Sequence, residues 1–282
     1  MKTNYILLPI TLSFILFVSC SQSQRNNSQN EDLQITKTED AISISLESII
    51  EEPIENSVAE IIEKKEVPVL CYHRIEDGRS DVYSVSPDQF ASHFKILSDS
   101  GYNSILPDEL YAYLKYNAAL PEKPFMITFD DSRTEHITIA APQLEKHNFK
   151  GAFFIMTVTN YKKNYLSHDE IAQLANNGHT VGLHSWDHIM VTKYTDSTFW
   201  KQQVLDPQTK LEEMIGKPVD YWAYPNGVYD RDAVEQLDKH FKLSFILMAK
   251  RDSLYPLQTI RRMIAPSVSP ERLIKSMKSN FN

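Results

Sequence analysis

The sequence contains little cysteine and little glycine, and it has no excess of basic residues. Its 282 residues include two cysteines and seven glycines, and its formal net charge is −8. So few glycines exclude collagen-like and glycine-rich repeat proteins. A nucleic-acid-binding protein normally shows a basic balance or a basic stripe, and this chain shows neither. No nucleic-acid partner is therefore expected.

The N-terminus carries an apolar run that is too short to cross a bilayer as a helix. The run covers residues 5–18, follows Lys2 and leads into Ser19-Cys20. Its length suits the hydrophobic part of a signal peptide, and its end, Phe17-Val18-Ser19-Cys20, resembles a bacterial lipobox. We expect residues 1–20 to be a lipoprotein signal peptide, with Cys20 as the lipidated first residue of the mature protein. An ordinary secretory signal with an incidental cysteine is the alternative.

Acidic charge is concentrated directly after this segment. Residues 21–66 have a net charge of −7, whereas residues 67–282 have a net charge of −2. The first ten residues of the acidic segment include no apolar side chain, so they cannot bury surface. The isoleucines between 49 and 62 would allow one weak amphipathic helix, and Pro53 argues against a long one. We expect 21–66 to be a largely disordered tether between a membrane of the cell envelope and the domain 67–282, facing the periplasm or the cell surface.

From residue 67 onward, short apolar runs alternate with amphipathic stretches. The runs are apolar throughout, as expected for parallel strands that helices cover, and about seven such units fit one barrel-like α/β domain. Strands are predicted at 67–72, 102–106, 125–129, 151–156, 180–183, 221–224, 243–248 and 262–265. Helices are predicted at 87–100, 108–116, 133–147, 167–176, 198–215, 231–240 and 270–278, with Ser86 and Ser167 as N-terminal caps.

Polar side chains follow several of these strands, at the end where α/β barrels carry their active sites. Asp130 and Asp131 follow the strand 125–129, and His184 and His188 follow the strand 180–183. Two imidazoles four residues apart and one carboxylate can hold a metal ion and leave positions open for water and substrate. The other aspartate can then accept a proton from water. Each pattern alone is commoner as a helix cap or as surface histidines, but their joint placement favours a catalytic site.

Two motifs strengthen this interpretation: Thr128-Phe129-Asp130-Asp131 and His184-Ser185-Trp186-Asp187-His188. In order and spacing they resemble the motifs of the NodB-homology polysaccharide deacetylases, carbohydrate esterase family 4. The resemblance extends over nearly all of 67–282 and implies one domain with a distorted (β/α)7 barrel. It implies that Asp130 is the general base and that Asp131, His184 and His188 hold a divalent metal ion, most often zinc. It also implies that Tyr224-Pro225-Asn226-Gly227 forms a wall of the substrate groove, with a backbone N–H that helps to hold the oxyanion.

The sequence departs from the family in two places. Many members carry an arginine in the third motif that orients the base, but residues 221–224 contain none. Arg261 or Arg262 is the candidate to substitute, and the alternative is that both are surface charges. Many members also carry a late histidine as general acid, and no histidine follows His240. The run 67–74, which ends in Tyr-His-Arg, resembles the first strand of a subgroup that acts on poly-β-1,6-N-acetylglucosamine. In that subgroup this strand supplies the acid, so we expect His73 to be the general acid, with a buried structural histidine beside the barrel mouth as the alternative.

The resemblance implies a metal-dependent N-deacetylase that acts on N-acetylglucosamine units of an extracellular or cell-envelope polysaccharide. Trp186, Trp222 and Tyr224 are candidates for stacking on sugar faces, with packing as the alternative. Peptidoglycan, chitin-like oligomers and acetylxylan are alternative substrates, and a non-catalytic glycan-binding lipoprotein is the alternative from another class of protein. The expected partners are the polysaccharide and, through the lipid anchor, a membrane. The protein is expected to be a monomer.

Overall fold

The structure, a computed structural model, describes residues 53–281 with the exception of 80, 161, 248–249 and 267. The predicted signal peptide with Cys20 and the tether residues up to 52 lie outside the described residues.

A parallel sheet, nearly closed into a barrel, forms the centre of the described chain. The strands are β1 (Val69–Tyr72), β2 (Arg74–Ile75), β3 (Ser84–Val85), β4 (Asn103–Ser104), β5 (Pro124–Phe129), β6 (Ala152–Ile155), β7 (Thr180–Leu183), β8 (Tyr221–Ala223), β9 (Leu243–Ile246), β10 (Ile260–Arg261) and β11 (Met263–Ile264). Around the barrel the neighbours are β10, β9, β8, β7, β6, β5, β1 and β11, and β4 adds to β5. The strands β2 and β3 form a separate parallel pair.

The last strand of the barrel is split at Arg262, so that it can pair with a different neighbour on each side. Its first half, β10, pairs with β9, and its second half, β11, pairs with β1. The two halves together are the seventh position of the barrel in the described chain, so the predicted distorted (β/α)7 barrel is confirmed.

The two faces of the strands carry different buried clusters, since side chains alternate along a strand. One cluster contains Leu70, Ile127 and Trp222 together with apolar residues of the surrounding helices. The other contains Val69 and Met126, which face the barrel interior. The strand residues of the second set point into the barrel, and polar side chains at the carboxyl ends of the same strands continue this interior face.

Helices cover the outside of the barrel, as the fold class predicts. They are α1 (Val58–Glu63), α2 (Pro87–Asp99), α3 (Pro107–Tyr116), α4 (Ala141–Glu145), α5 (His168–Asn176), α6 (Ser197–Trp200), α7 (Asp206–Ile215), α8 (Arg231–Leu237) and α9 (Pro270–Phe281). Wider π-helical turns, His136–Ala140 and Lys201–Leu205, lead into α4 and α7. The predicted caps are confirmed, since Ser86 and Ser167 each accept the N–H three residues on. Within the described ranges, the helices are too short or too polar to cross a membrane.

The folded unit begins at Pro53 and not at the predicted Val67. The helix α1 lies within the predicted tether, and its Ile61 is 2% exposed. Asn56 also belongs to the fold, because its side chain donates to the Leu114 carbonyl at 2.8 Å. Pro53 precedes the N-cap of α1, where a proline does not interrupt a helix. The prediction of a tether up to residue 66 was therefore wrong for its last part.

Candidate active site

The two aspartates after β5 take different positions around one cavity. Asp130 is 1% exposed, and its backbone N–H donates to the Tyr72 carbonyl of β1 at 3.0 Å. Asp131 leaves the strand direction with a φ of 75° and is half-buried. Both line a cavity of about 150 Å³ at the carboxyl ends of the strands. The neighbouring carboxylates are thus free to have different roles.

Arg262 holds Asp130 from inside the barrel. Its Nη1 and Nη2 donate to the two carboxylate oxygens at 2.7 and 2.8 Å, and Nη1 also donates to Thr128 Oγ1 at 3.2 Å. Burial alone would raise the pKa of the Asp130 carboxyl, but the charge of Arg262 is the largest opposing influence, and the pKa is held well below its usual range. Asp130 is therefore ionised at neutral pH, which is the form that a general base requires.

Arg261, the other arginine expected to replace the missing one, lies elsewhere. Its Nε donates to Glu66 Oε2 at 3.1 Å, on the opposite side of the strand from Arg262. Successive residues of an extended segment point to opposite faces, so only one of the two arginines can face the barrel interior. Of these two, Arg262 is the one that contacts Asp130.

Asp131, His184 and His188 bring three ligand atoms together. These atoms all lie within 4.8 Å of one another. Asp131 Oδ1 is 3.6 Å from the Nε2 atoms of both histidines. One carboxylate oxygen and two imidazole nitrogens suit a divalent transition metal, and three protein ligands leave coordination positions open.

The hydrogen bonding of His184 fits a metal ligand. Its Nδ1 lies 2.8 Å from the Ala223 carbonyl, which can only accept, so Nδ1 carries the proton. Its Nε2 then has a free lone pair, and this buried atom has no hydrogen-bond partner among the described residues. Burial lowers the pKa of His184 to about 4, which keeps the ring neutral as ligation requires. A carbonyl that fixes the tautomer in this way is the usual outer partner of a metal-binding histidine.

A second group of possible ligands, Cys71, His73 and Asp130, is less suitable for a cation. Its three ligand atoms also lie within 4.8 Å of one another. Both oxygens of Asp130, however, already accept from the Arg262 guanidinium. A cation there would face a buried positive charge, so we assign the metal position to Asp131, His184 and His188.

Both motifs have unusual backbone geometry at the site. Asp131, Ser132, Ser185 and His188 have φ angles between 56° and 75°, in the left-handed region that residues other than glycine rarely adopt. Side-chain bonds hold these turns: Ser132 Oγ accepts from the Met156 N–H at 2.7 Å, and Ser185 Oγ accepts from the His188 N–H at 2.9 Å. Such strain persists only where surrounding contacts enforce it, and it is concentrated at functional sites.

His73 faces the cavity from the end of β1. Its Nε2 is 3.8 Å from Asp130 Oδ2, and the residue is 8% exposed. Burial lowers the pKa of His73, and the nearby carboxylates oppose that effect only in part. The ring lines the same cavity as the three candidate metal ligands.

The third motif contributes less to the cavity than predicted. Trp222 and Tyr224 are both 0% exposed, because they lie on the helix-facing side of β8 and its continuation, so the prediction that they stack on sugars was wrong. Pro225 is also buried, and Trp186 is half-buried outside the residues that line the cavity. Asn226 does line the cavity.

Two backbone N–H groups of this motif already have acceptors within the protein. The Tyr224 N–H donates to the Phe245 carbonyl at 3.0 Å, and the Gly227 N–H donates to the Tyr224 carbonyl at 2.7 Å. Pro225 has no N–H. Asn226, which lines the cavity, is the remaining residue of the motif with a backbone N–H.

Three residues near the site were not predicted. Cys71 Sγ lies 3.6 Å from Asp130 Oδ2, and His136 Nε2 lies 2.7 Å from the His73 carbonyl. Tyr83 contacts the His73 ring with a centroid distance of 4.9 Å. Only the alternation along β1 could have indicated Cys71, since it lies two residues before His73 on the same face. His136 and Tyr83 reach the site through turns, for which the sequence gives no comparable signal.

A family model matches the part of the chain that carries both motifs. It is the model for polysaccharide deacetylases, and it covers residues 117–241. The Bacillus subtilis protein YxkH is 27% identical to this chain over 220 residues, which is 75% of this chain and 77% of YxkH. Residues 117–241 of this chain match the polysaccharide deacetylase domain. The predicted resemblance is thereby confirmed, and the deacetylase is a hydrolase that acts on amide bonds.

Other relatives of the deacetylase support the same family. The peptidoglycan-N-acetylglucosamine deacetylase PgdA of Listeria monocytogenes is 27% identical over 133 residues, 44% of this chain and 28% of PgdA. The polysaccharide deacetylase BC0361 from Bacillus cereus has a TM-score of 0.65 and 26% identity, with coverage of 76% of this chain and 69% of BC0361. The deacetylase PplD of Streptococcus pyogenes has a TM-score of 0.68 at 22% identity, covering 75% of this chain and 98% of PplD, which establishes the shared fold.

Proposed function

We propose that the deacetylase is a metal-dependent N-deacetylase that removes acetyl groups from N-acetylglucosamine units of an extracellular or cell-envelope polysaccharide. The observation that carries this proposal is the pairing of a metal-ligand set with a separate, ionised base. Asp131, His184 and His188 converge on one point, and Asp130 Oδ2 lies 3.9 Å from His184 Nε2 without belonging to that set.

Zinc is the proposed ion, because two imidazoles and one carboxylate form a donor set that zinc accepts in catalytic sites. When bound, it would supply a positive charge that polarises the acetamide carbonyl. The unpartnered Nε2 of His184 and the fixed proton on its Nδ1 support this use of the site.

The protein's own side chains would carry the proton transfers. Asp130, held ionised by Arg262, takes a proton from the attacking water. When the water adds to the acetyl carbonyl carbon, the carbonyl oxygen becomes an oxyanion, and the Asn226 N–H donates to it. His73, in its protonated form, donates to the departing amine nitrogen as the carbon–nitrogen bond breaks. The products are acetate and a glucosamine unit.

Poly-β-1,6-N-acetylglucosamine is the proposed substrate. The sequence supports it through the Tyr72-His73 ending of β1, which resembles that subgroup, and the position of His73 on the cavity agrees with a first-strand acid. Peptidoglycan is the second candidate, because the relative PgdA acts on peptidoglycan N-acetylglucosamine according to its name.

The proposed location is the cell envelope. The apolar run 5–18 and the Cys20 that follows it support a lipid anchor on a membrane, with the domain facing the periplasm or the cell surface. We propose that the anchored protein acts as a monomer.

The test is acetate release by the zinc-loaded protein from four substrates: poly-β-1,6-N-acetylglucosamine, chitin oligomers, peptidoglycan and acetylxylan. Asp130→Asn and His73→Ala are each expected to lower the rate by roughly 10²–10⁴-fold. His240→Ala, which changes an exposed histidine outside the cavity, is the matched control and should leave the rate unchanged. Zinc binding without acetate release from any of the four would contradict the proposal.

A further inference from the structure

The cavity at the candidate site is small compared with pockets that enclose a whole ligand. Its volume is about 150 Å³. Pockets that enclose most of a drug-sized ligand span about 300–1,000 Å³. The cavity is smaller than these, so a sugar unit whose acetamido group enters it would keep its pyranose ring at the mouth. A surface at the mouth has to support that ring.

Tyr83 is the aromatic side chain at the mouth that has the exposure for this task. It is 42% exposed, whereas Trp222 and Tyr224 are fully buried. Among the described residues that line the cavity, it contributes the only phenol or indole ring. Its ring meets the His73 ring edge-on, with an interplanar angle of 63°. The tyrosine is thus beside the proposed acid and open to solvent.

The backbone around Tyr83 is fixed before any ligand binds. Its N–H donates to Asp81 Oδ1 at 2.9 Å, and its carbonyl accepts from the Arg74 N–H at 3.1 Å. Asp81 is held in turn by Arg79, whose Nε donates to Asp81 Oδ2 at 2.9 Å. An aromatic side chain with only two rotatable bonds on a fixed backbone loses little entropy when it is covered.

We propose that Tyr83 is a substrate-binding residue that supports the pyranose ring of the N-acetylglucosamine unit whose acetamido group enters the cavity. A pyranose has a face of C–H groups and an edge of hydroxyls, and an exposed tyrosine has an apolar ring with a hydrated phenol end. The apolar ring of Tyr83 can cover the C–H face of the sugar while its phenol end and the sugar hydroxyls stay hydrated. This inference rests on the proposed function and adds a sugar-binding residue from the segment between β2 and β3.

Binding and turnover are measured separately on the full zinc-loaded protein with a β-1,6-linked N-acetylglucosamine pentamer. Binding is measured by calorimetry in an Asp130→Asn background, which blocks turnover. Tyr83→Ala should weaken binding about tenfold there, and in the otherwise unchanged enzyme it should raise KM about tenfold with kcat within threefold. Tyr83→Phe should resemble the parent, because it keeps the ring face. Tyr113→Ala is the matched control, since Tyr113 lines a different cavity with Val67 and Pro68 at the beginning of β1.

Unchanged pentamer binding in Tyr83→Ala would overturn the inference. A fall in kcat at constant KM would also overturn it, because Tyr83 would then act only by supporting His73. If the parent enzyme releases acetate but Tyr83→Ala binds the pentamer as tightly as the parent does, the proposed function stands and this inference fails. Weakened binding together with no acetate release by the parent enzyme would support the inference and contradict the proposed function.

Discussion

Asp130 and Arg262 face each other inside the barrel with 1% and 5% of their surfaces exposed. Removing one charge of such a pair leaves the other buried without compensation, which destabilises far more than the pair itself stabilises. The same contact keeps Asp130 ionised. At the scale of single residues, stability and readiness for catalysis therefore depend on one ion pair.

We expect Arg262→Leu to lower the free energy of unfolding of the metal-free protein by about 3–5 kcal/mol, because it leaves the Asp130 carboxylate unpaired. Adding Asp130→Asn should recover a large part of that loss. Urea denaturation of the two variants and the parent at neutral pH measures this. A double variant no more stable than Arg262→Leu would contradict the account.

Residues inside contiguous motifs were the ones that the sequence could predict. Asp131, His184 and His188 converge because the carboxyl ends of neighbouring parallel strands lie side by side. The choice between Arg261 and Arg262 depended on which face of the last strand is interior, and one extended segment does not reveal its own orientation. The prediction for Trp222 failed for the same reason, since Trp222 lies on the face of β8 that points outward to the helices.

At the scale of elements, a buried histidine joins the starts of β6 and β7. His179, just before β7, accepts the N–H of Gly151, just before β6, on its Nδ1 at 3.1 Å. Burial, followed by the charge of Lys150, lowers the pKa of His179 to about 4. The folded protein therefore holds this ring neutral in a range where the unfolded chain protonates it.

The stability contributed by neutral His179 is complete above pH 6.5 and is lost as the pH falls toward 4, because only the unfolded chain takes up the proton in that range. The free energy of unfolding should fall by about 2 kcal/mol from this residue between pH 7.5 and 5. Urea denaturation at both pH values checks this. His179→Gln, which keeps an acceptor for Gly151, should show a smaller fall, and an equal fall in both proteins would rule out this origin.

The main elements were predictable because their patterns are strong. The apolar runs of β5 and β7 and the capped helices α2 and α5 lie where the sequence placed them. The two-residue strands β2 and β3 gave no periodic signal, since two residues cannot establish alternation. Tyr83 was missed with them, because it lies next to β3 and reaches the site only through that pairing.

At the scale of the whole molecule, the folded unit includes a segment that its composition placed in the tether. The helix α1 buries Ile61 in the interior cluster, together with Leu110 and Leu114 of α3. The composition of residues 21–66 is acidic on average, which favours a disordered segment. That average does not reveal the single buried side chain of α1 or its capping box.

A protein that begins at Val67 should therefore be less stable than one that begins at Pro53. The loss of buried Ile61 alone is worth about 1.5–3 kcal/mol, and the bonds of Asn56 add to it. Thermal unfolding of the two proteins should differ by roughly 3–12 °C. Equal melting temperatures would show that α1 contributes nothing to the fold.

The central claim is that two adjacent aspartates have different roles, and one paired measurement tests it most directly. Zinc affinity and acetate release from poly-β-1,6-N-acetylglucosamine are measured for Asp130→Asn and Asp131→Asn. We expect Asp130→Asn to bind zinc within a few-fold of the parent and to lose roughly 10²–10⁴-fold in rate. Asp131→Asn should lose zinc affinity itself. Loss of zinc from Asp130→Asn, or full activity in that variant, would contradict the division of roles.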